Sequence, residues 1–180
     1  MEKLAELYAE EIIQRFSTLP QNLYGPAYKG IPLAVAISMA LEKKSSQKIT
    51  FTFNRKEAKD HGEGGLLVGN QYILPENVLM VEDVITAGTS FRESVKILKQ
   101  FPQANLCGLL VAVDRMETLE DNLSAMQWVE KEFSIPAYSL INAFDVQDYL
   151  HHKDHRDKWS LEDFIVDEMD AYLNKYGIKR

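Results

Sequence analysis

The chain has 180 residues, 46% hydrophobic and 26% charged, which fits one soluble globular domain over residues 1–180 with room for a sheet and its covering helices. A net charge of −7 argues against general affinity for nucleic acid or acidic membranes, so any anion-binding capacity has to be local. No apolar run approaches membrane-spanning length and the single Cys107 excludes an internal disulfide, so the expected compartment is the cytoplasm and the thiol is expected to be buried packing.

Met1-Glu2-Lys3 leads directly into an amphipathic helix with Leu4, Leu7, Tyr8 and Ile12 on one face, and no signal peptide is read there. Asn22, Leu23 and Tyr24 read as a short strand stopped by Gly25-Pro26. The segment Ala27-Tyr28-Lys29-Gly30-Ile31-Pro32 then opens a helix from Leu33 to Leu41, with Pro32 suited to its first turn and Lys43 and Lys44 to its last. A lysine between two glycines ahead of a helix N-terminus can hold an anionic group, although a plain surface lysine is the ordinary reading of Lys29 alone.

Ile49 to Phe53 is β-branched and aromatic, as a strand should be. The next twelve residues, Asn54 to Gly65, hold Arg55, Lys56, Lys59, His61 and three glycines, and Leu66-Leu67-Val68 resumes a strand. Cations on a glycine-rich segment suit a lid that closes over an anionic substrate and excludes water. The plain alternative is a solvated hairpin whose Glu57, Asp60 and Glu63 neutralise its own cations. Gln71 to Leu74 is read as the return strand of this flap.

Val78 to Val81 is too short for a helix and branched enough for a buried strand, and Glu82 and Asp83 follow where that strand is expected to leave the sheet. Thr86, Ala87, Gly88, Thr89 and Ser90 supply small side chains and open amides, and Phe91, Val95, Leu98 and Phe101 give the next helix one apolar face. A phosphate at that N-terminus meets amide donors, the positive end of the dipole and three hydroxyls. Carboxylates cannot serve the same phosphate, but they suit sugar hydroxyls or a magnesium ion, so the stretch as a whole fits a phosphorylated sugar.

Leu106 to Val113 is a second continuous apolar run, fit for a central parallel strand, and it ends at Asp114-Arg115. A guanidinium at such a strand end faces the crevice where ligands sit in open α/β sheets, and a salt bridge from Arg115 to Asp114 or Glu117 is the structural alternative. Leu123, Met126, Val129 and Phe133 give a helix face, Tyr138 to Ile141 a last strand, and 144–150 and 161–176 closing helices. His151, His152 and His155 lie in a polar connector and need no metal there. Strands alternating with helices imply a mostly parallel sheet covered on both faces.

Two stretches carry a family resemblance. Val78 to Ser90 resembles the phosphoribosyl pyrophosphate (PRPP) signature of type I phosphoribosyltransferases, while neither a Gly-x-Gly-x-x-Gly fingerprint nor a Walker loop occurs. The string Arg55 to Gly65 is similar to the catalytic loop of orotate phosphoribosyltransferases, which purine phosphoribosyltransferases do not share.

The resemblance implies an α/β type I phosphoribosyltransferase fold, a mostly parallel sheet flanked by helices with an antiparallel flap. It implies transfer of the phosphoribosyl group from PRPP to orotate, giving orotidine 5′-monophosphate and diphosphate on the route to UMP. It assigns PRPP to Tyr28, Lys29, Arg55, Lys56, Lys59, His61, Glu82, Asp83 and the run Val84, Ile85, Thr86, Ala87, Gly88, Thr89 and Ser90, with a non-proline cis peptide in the Tyr28 loop. Orotate falls to Thr86 and Arg115, and catalysis to Lys59, Asp83 and Glu82. The cofactor is Mg²⁺ held through PRPP, with no direct protein ligand expected and Asp83 the one candidate for that role. The partners are the two small substrates and a second subunit whose site the lid reaches. Two departures stand out. Met116 to Glu120 replaces an arginine- and glycine-containing segment, and the several tens of residues that family members carry before the first helix, with a lysine for PRPP and aromatics for orotate, have no counterpart. A phosphoribosyltransferase for another base and a PRPP-binding regulator without turnover share parts of the pattern, but a complete basic lid has little use in a regulator.

Overall fold

The alternation read from the sequence becomes six strands and seven helices among the residues described by a computed structural model, 1–55, 65–119 and 122–179. In chain order these are α1 (Glu2–Arg15), β1 (Asn22–Tyr24), α2 (Gly30–Ser45), β2 (Thr50–Asn54), β3 (Leu67–Gly69), β4 (Glu76–Ile85), α3 (Thr89–Leu98), β5 (Ala104–Asp114), α4 (Ala125–Phe133), β6 (Ala137–Asn142), α5 (Ala143–His151), α6 (Lys153–Lys158) and α7 (Asp163–Tyr176). The strands form one sheet in the order β3-β2-β1-β4-β5-β6, parallel throughout except for β3, which runs antiparallel to β2. Among the described residues no helix is long and apolar enough to cross a membrane.

The unbroken apolar runs are explained by burial on both faces. In β4, Val78 and Met80 join a core with Phe91, Val95 and Leu98 of α3 and Met126 and Val129 of α4. Leu79 and Val81 point the other way, into a core with Tyr8 and Ile12 of α1 and Leu33, Ile37 and Leu41 of α2. β5 repeats this, with Leu109 and Val111 in the first core and Leu110 in the second. A strand with helices on both sides has no solvent face and loses the alternation of a half-exposed strand.

Local chemistry fixes several element starts. Ser124 accepts a hydrogen bond from Gln127 N while the Gln127 side chain accepts from Ser124 N, and Asn142 and Asp145 do the same ahead of α5.

Four expectations need correction. Gln71–Leu74 is not a strand; the flap returns through β3, and Tyr72 instead turns inward with φ +49°. β4 runs on to Ile85, so Glu82 and Asp83 lie inside the strand, kept there by pairing with β5 as far as Ile85↔Asp114. The histidine-containing connector includes a short helix, α6, and Leu7 is exposed while Ala5 and Ala9 complete the inner face of α1. Small alanines are what let α1 approach α2, and a hydrophobicity pattern that favours large residues overlooks them.

Tyr72 closes a buried polar knot at the edge of the sheet. Asn22 is fully buried; its Nδ2 donates to Thr50 Oγ1 at 2.9 Å and Thr52 Oγ1 at 3.0 Å, and its Oδ1 accepts from the Tyr72 hydroxyl at 2.9 Å. These bonds hold β1, β2 and the segment before β4 in register. Tyr72→Phe keeps the ring but strands the Asn22 carbonyl, so urea unfolding should show a loss of about 1–3 kcal/mol. A loss within about 0.5 kcal/mol, the range of neutral surface changes, would show that the knot does not depend on Tyr72.

Candidate active site

The sheet order reverses between β1 and β4. The chain leaves β1 through α2 toward β2 on one side, and leaves β4 through α3 toward β5 on the other. α2 and α3 cover opposite faces, so the two loops diverge and leave a crevice at the carboxyl edge, the place where ligands bind in open α/β sheets.

The loop after β1 is folded tightly by its glycines. A Cβ on Gly25 would lie 2.1 Å from the Gly30 carbonyl oxygen, and one on Gly30 would lie 2.7 Å from the Gly25 carbonyl carbon. Between them the Ala27–Tyr28 peptide is cis, as the resemblance implies, Tyr28 is well exposed, and the Ala27 amide donates to Asn54 Oδ1 at 3.0 Å. That bond ties the loop to the end of β2, where the basic segment begins. Lys29 Nζ sits 3.1 Å from Asp83 Oδ2.

At the end of β4 the two acids have different surroundings. The Glu82 carboxylate accepts a hydrogen bond from Ser90 Oγ at 2.5 Å, and its backbone carbonyl accepts from the Tyr8 hydroxyl of α1 at 2.6 Å. Burial pushes the Glu82 carboxyl above its usual range, with Ser90 and Lys29 opposing and Asp83 reinforcing the rise. Asp83 Oδ1 accepts from Val84 N at 2.9 Å, while its Oδ2 faces Lys29.

Gly88 precedes α3 with φ +67°, a left-handed conformation that glycine adopts without Cβ strain. Among the described residues no side chain caps the helix, so the amides of its first turn are left for another acceptor. Thr86 is half-buried and Thr89 and Ser90 are exposed at the same end. A Cβ on Gly88 would also meet the Trp128 ring at 3.2 Å, and Arg92 stacks over that ring 4.0 Å from its centroid. Trp128 thus packs beneath the loop, a role the helical pattern of α4 did not disclose.

Arg115 follows Asp114, which pairs with Ile85, so the parallel register sets Arg115 beside the start of the Thr86 loop. Its Nη2 lies 2.6 Å from Glu117 Oε1 and donates to the Tyr172 hydroxyl of α7 at 2.5 Å, and that hydroxyl donates to Glu117. The salt bridge weighed from the sequence is therefore present, with Glu117 and not Asp114. Asp114 is buried and accepts from Met116 N at 2.9 Å, a bond that sets the turn after the strand, and burial pushes its carboxyl up. Tyr172, in the third turn of α7, came from no motif.

Of the remaining expected residues, Arg55 lies at the end of β2, its amide donating to the Leu66 carbonyl at 2.9 Å and its buried Nε without a hydrogen-bond partner among the described residues. Lys56, Lys59 and His61 lie outside the described residues. His151 pairs with Asp170 at 3.1 Å, and His155 stacks on Tyr149 and bonds its carbonyl, so both have structural partners.

Glu82 has a stability signature. Its folded pKa is raised, so the stability tied to this group is complete below the unfolded carboxylate range and is lost as pH rises through the folded value. Glu82→Gln removes that loss. The variant should melt higher than the native protein at about pH 8, with the gap closing as pH falls toward about 4. An equal gap at both pH values, followed by calorimetry, would rule out ionisation of Glu82 as its source.

No protein-family model matches the chain. Among proteins of known name it is 44% identical over 175 residues to the orotate phosphoribosyltransferase of Acinetobacter baumannii strain AB307-0294, covering 97% of this chain and 76% of that one. It is 37% identical over 179 residues to that of Clostridium acetobutylicum, covering 99% and 80%. Among solved structures, orotate phosphoribosyltransferase of Francisella tularensis superposes with a TM-score of 0.75 at 34% identity, over 98% of this chain and 79% of that one. A crevice flanked by a Tyr-Lys loop, two adjacent acids near the paired end of β4 and an open helix N-terminus, set in a chain matched along nearly its whole length, makes this protein a member of the orotate phosphoribosyltransferase family.

Proposed function

We propose that this chain, acting as a single phosphoribosyltransferase domain, transfers the phosphoribosyl group of PRPP to orotate, giving orotidine 5′-monophosphate and diphosphate in pyrimidine biosynthesis. The observation that carries the reading is the meeting of Lys29 with Asp83 at 3.1 Å beside the open end of α3, which brings both expected halves of a PRPP site to one crevice.

In this reading the 5′-phosphate sits on the amides and hydroxyls of Thr86 to Ser90, where it takes the place of a missing cap. Glu82 and Asp83 hold the ribose 2′- and 3′-hydroxyls, and Asp83 favours the positive charge that grows on the ribose ring as the bond to diphosphate breaks. Tyr28 and Lys29 hold the diphosphate. Lys29 is able to change partner, since an ion pair this exposed is worth little in water. Arg55, Lys56, Lys59 and His61 then strengthen their hold on the leaving group as charge collects there. The tie between Ala27 and Asn54 supports this, because it fixes the root of the basic segment to the diphosphate loop. Arg115 and Thr86 hold orotate, a planar anion that a guanidinium matches.

Among the described residues no group of three or more His, Cys, Asp or Glu forms a metal cage. A single partly exposed Asp83 nonetheless fits Mg²⁺, which takes one or two protein carboxylates and completes its shell with phosphate oxygens and water. Bound through PRPP with Asp83, the ion would neutralise the diphosphate. A homodimer with the basic segment shared between subunits, working in the cytoplasm, completes the reading and rests on the family resemblance.

Release of diphosphate from PRPP should depend on orotate and not on uracil, hypoxanthine or adenine, and should stop when EDTA removes the metal and resume with Mg²⁺. Turnover with adenine or hypoxanthine in preference to orotate would assign another base, and PRPP binding without turnover would assign a regulator. Lys59→Ala and Asp83→Asn should each lower kcat by about 100-fold or more with folding intact, the scale expected for groups that act on developing charge. Near-native kcat in either variant would remove its assigned role.

A further inference from the structure

The carboxyl end of β5 is joined to the carboxyl end of α7 by more than one contact. Thr118 N donates to the Tyr176 carbonyl at 2.7 Å and Ile178 N donates to the Met116 carbonyl at 2.8 Å, so residues 116–118 and 176–178 run as a short antiparallel pair. Met116 adopts φ +57°, fixed by its amide's bond to the buried Asp114. The backbone just after Arg115 is therefore held by the end of the last helix, as the residue before it is held by strand pairing, and the side chain is held as well. Both its close contacts, Glu117 at 2.6 Å and the Tyr172 hydroxyl at 2.5 Å, are made through Nη2, and Tyr172 also bonds Glu117. The guanidinium carbon lies 5.8 Å from the Tyr172 ring centroid.

We infer that Tyr172 and Glu117 form a clamp that positions Arg115 for the base, making the last helix part of the substrate site; this rests on the assignment of orotate to Arg115. A half-exposed arginine otherwise samples many rotamers, and ordering it on binding costs affinity. The clamp removes that cost beforehand. It engages one terminal nitrogen, and the donors on Nε and Nη1 take no part in it. Its two members act as one unit because the tyrosine hydroxyl both accepts from the guanidinium and donates to the carboxylate. Tyr172 and Glu117 are positioning residues: they touch Arg115, not the reacting atoms.

The test is a split in Michaelis constants on the full chain. Tyr172→Phe keeps the ring against Tyr176, with which it packs at 5.1 Å between centroids, and removes only the hydroxyl. It should raise KM for orotate by about tenfold, the size of one charge-assisted hydrogen bond, while KM for PRPP and the melting temperature stay near native values. Glu117→Ala should do the same, and Glu117→Gln, which retains an acceptor for Tyr172, should recover most of the loss. An unchanged or lowered KM for orotate in Tyr172→Phe and Glu117→Ala, with Arg115→Ala still raising it, overturns the clamp and leaves Arg115 assigned. An Arg115→Ala variant with native KM for orotate overturns the assignment of Arg115 itself, and the clamp falls with it.

Discussion

The parallel pairing of β1 with β4 at the centre of the sheet is the constraint on which the site depends. Parallel neighbours leave a sheet at the same edge, and α2 and α3 are drawn to opposite faces because β4 is apolar on both. The two outgoing loops must separate, and the gap between them is bordered by backbone amides and by whatever side chains end the strands. Here those are Lys29 on one side and Glu82, Asp83 and the Thr86 loop on the other. The chemistry of the crevice follows from the order of the strands.

That arrangement gathers anion-favouring groups in one place on a chain of net charge −7. The favourable groups are local: the uncapped first turn of α3, Lys29, and the guanidinium of Arg55 at the root of the basic segment. The two acids are engaged in bonds of their own. Glu82 is held by Ser90 and, through its carbonyl, by Tyr8, so its position is shared between α3 and α1. Asp83 is held by one backbone amide and by a solvent-exposed lysine, an ion pair that costs little to break in water.

The helices at the two ends of the chain both reach this edge. Tyr8 of α1 bonds the end of β4, and Tyr172 of α7 bonds the residue that follows β5. The first contact adds a hydrogen bond to a residue already inside the sheet, and the second fixes a side chain that strand pairing alone would leave flexible. The terminal helices therefore sharpen a site whose main chain is set by the sheet.

Much of this was legible from residue types and spacing. The runs Val78–Val81 and Leu106–Val113 announced buried strands, and the small residues of Thr86 to Ser90 announced a helix N-terminus without a cap. Asp114-Arg115 marked a strand end, because these signals are local and depend on a few neighbouring residues. The extension of β4 through Glu82 and Asp83 was not legible, since two acids read as a strand terminus until a neighbour supplies hydrogen bonds to hold them in the sheet. Nor was the inward turn of Tyr72, which depends on a buried asparagine fifty residues earlier. The sequence by itself determined which acids, hydroxyls and glycines follow one another along one segment, and with them the chemistry on offer there. Only the tertiary structure decided that Lys29 meets Asp83 and that Tyr172 meets Arg115, because those contacts join residues 54 and 57 positions apart, and such distances are closed by sheet order and helix packing that no local pattern encodes.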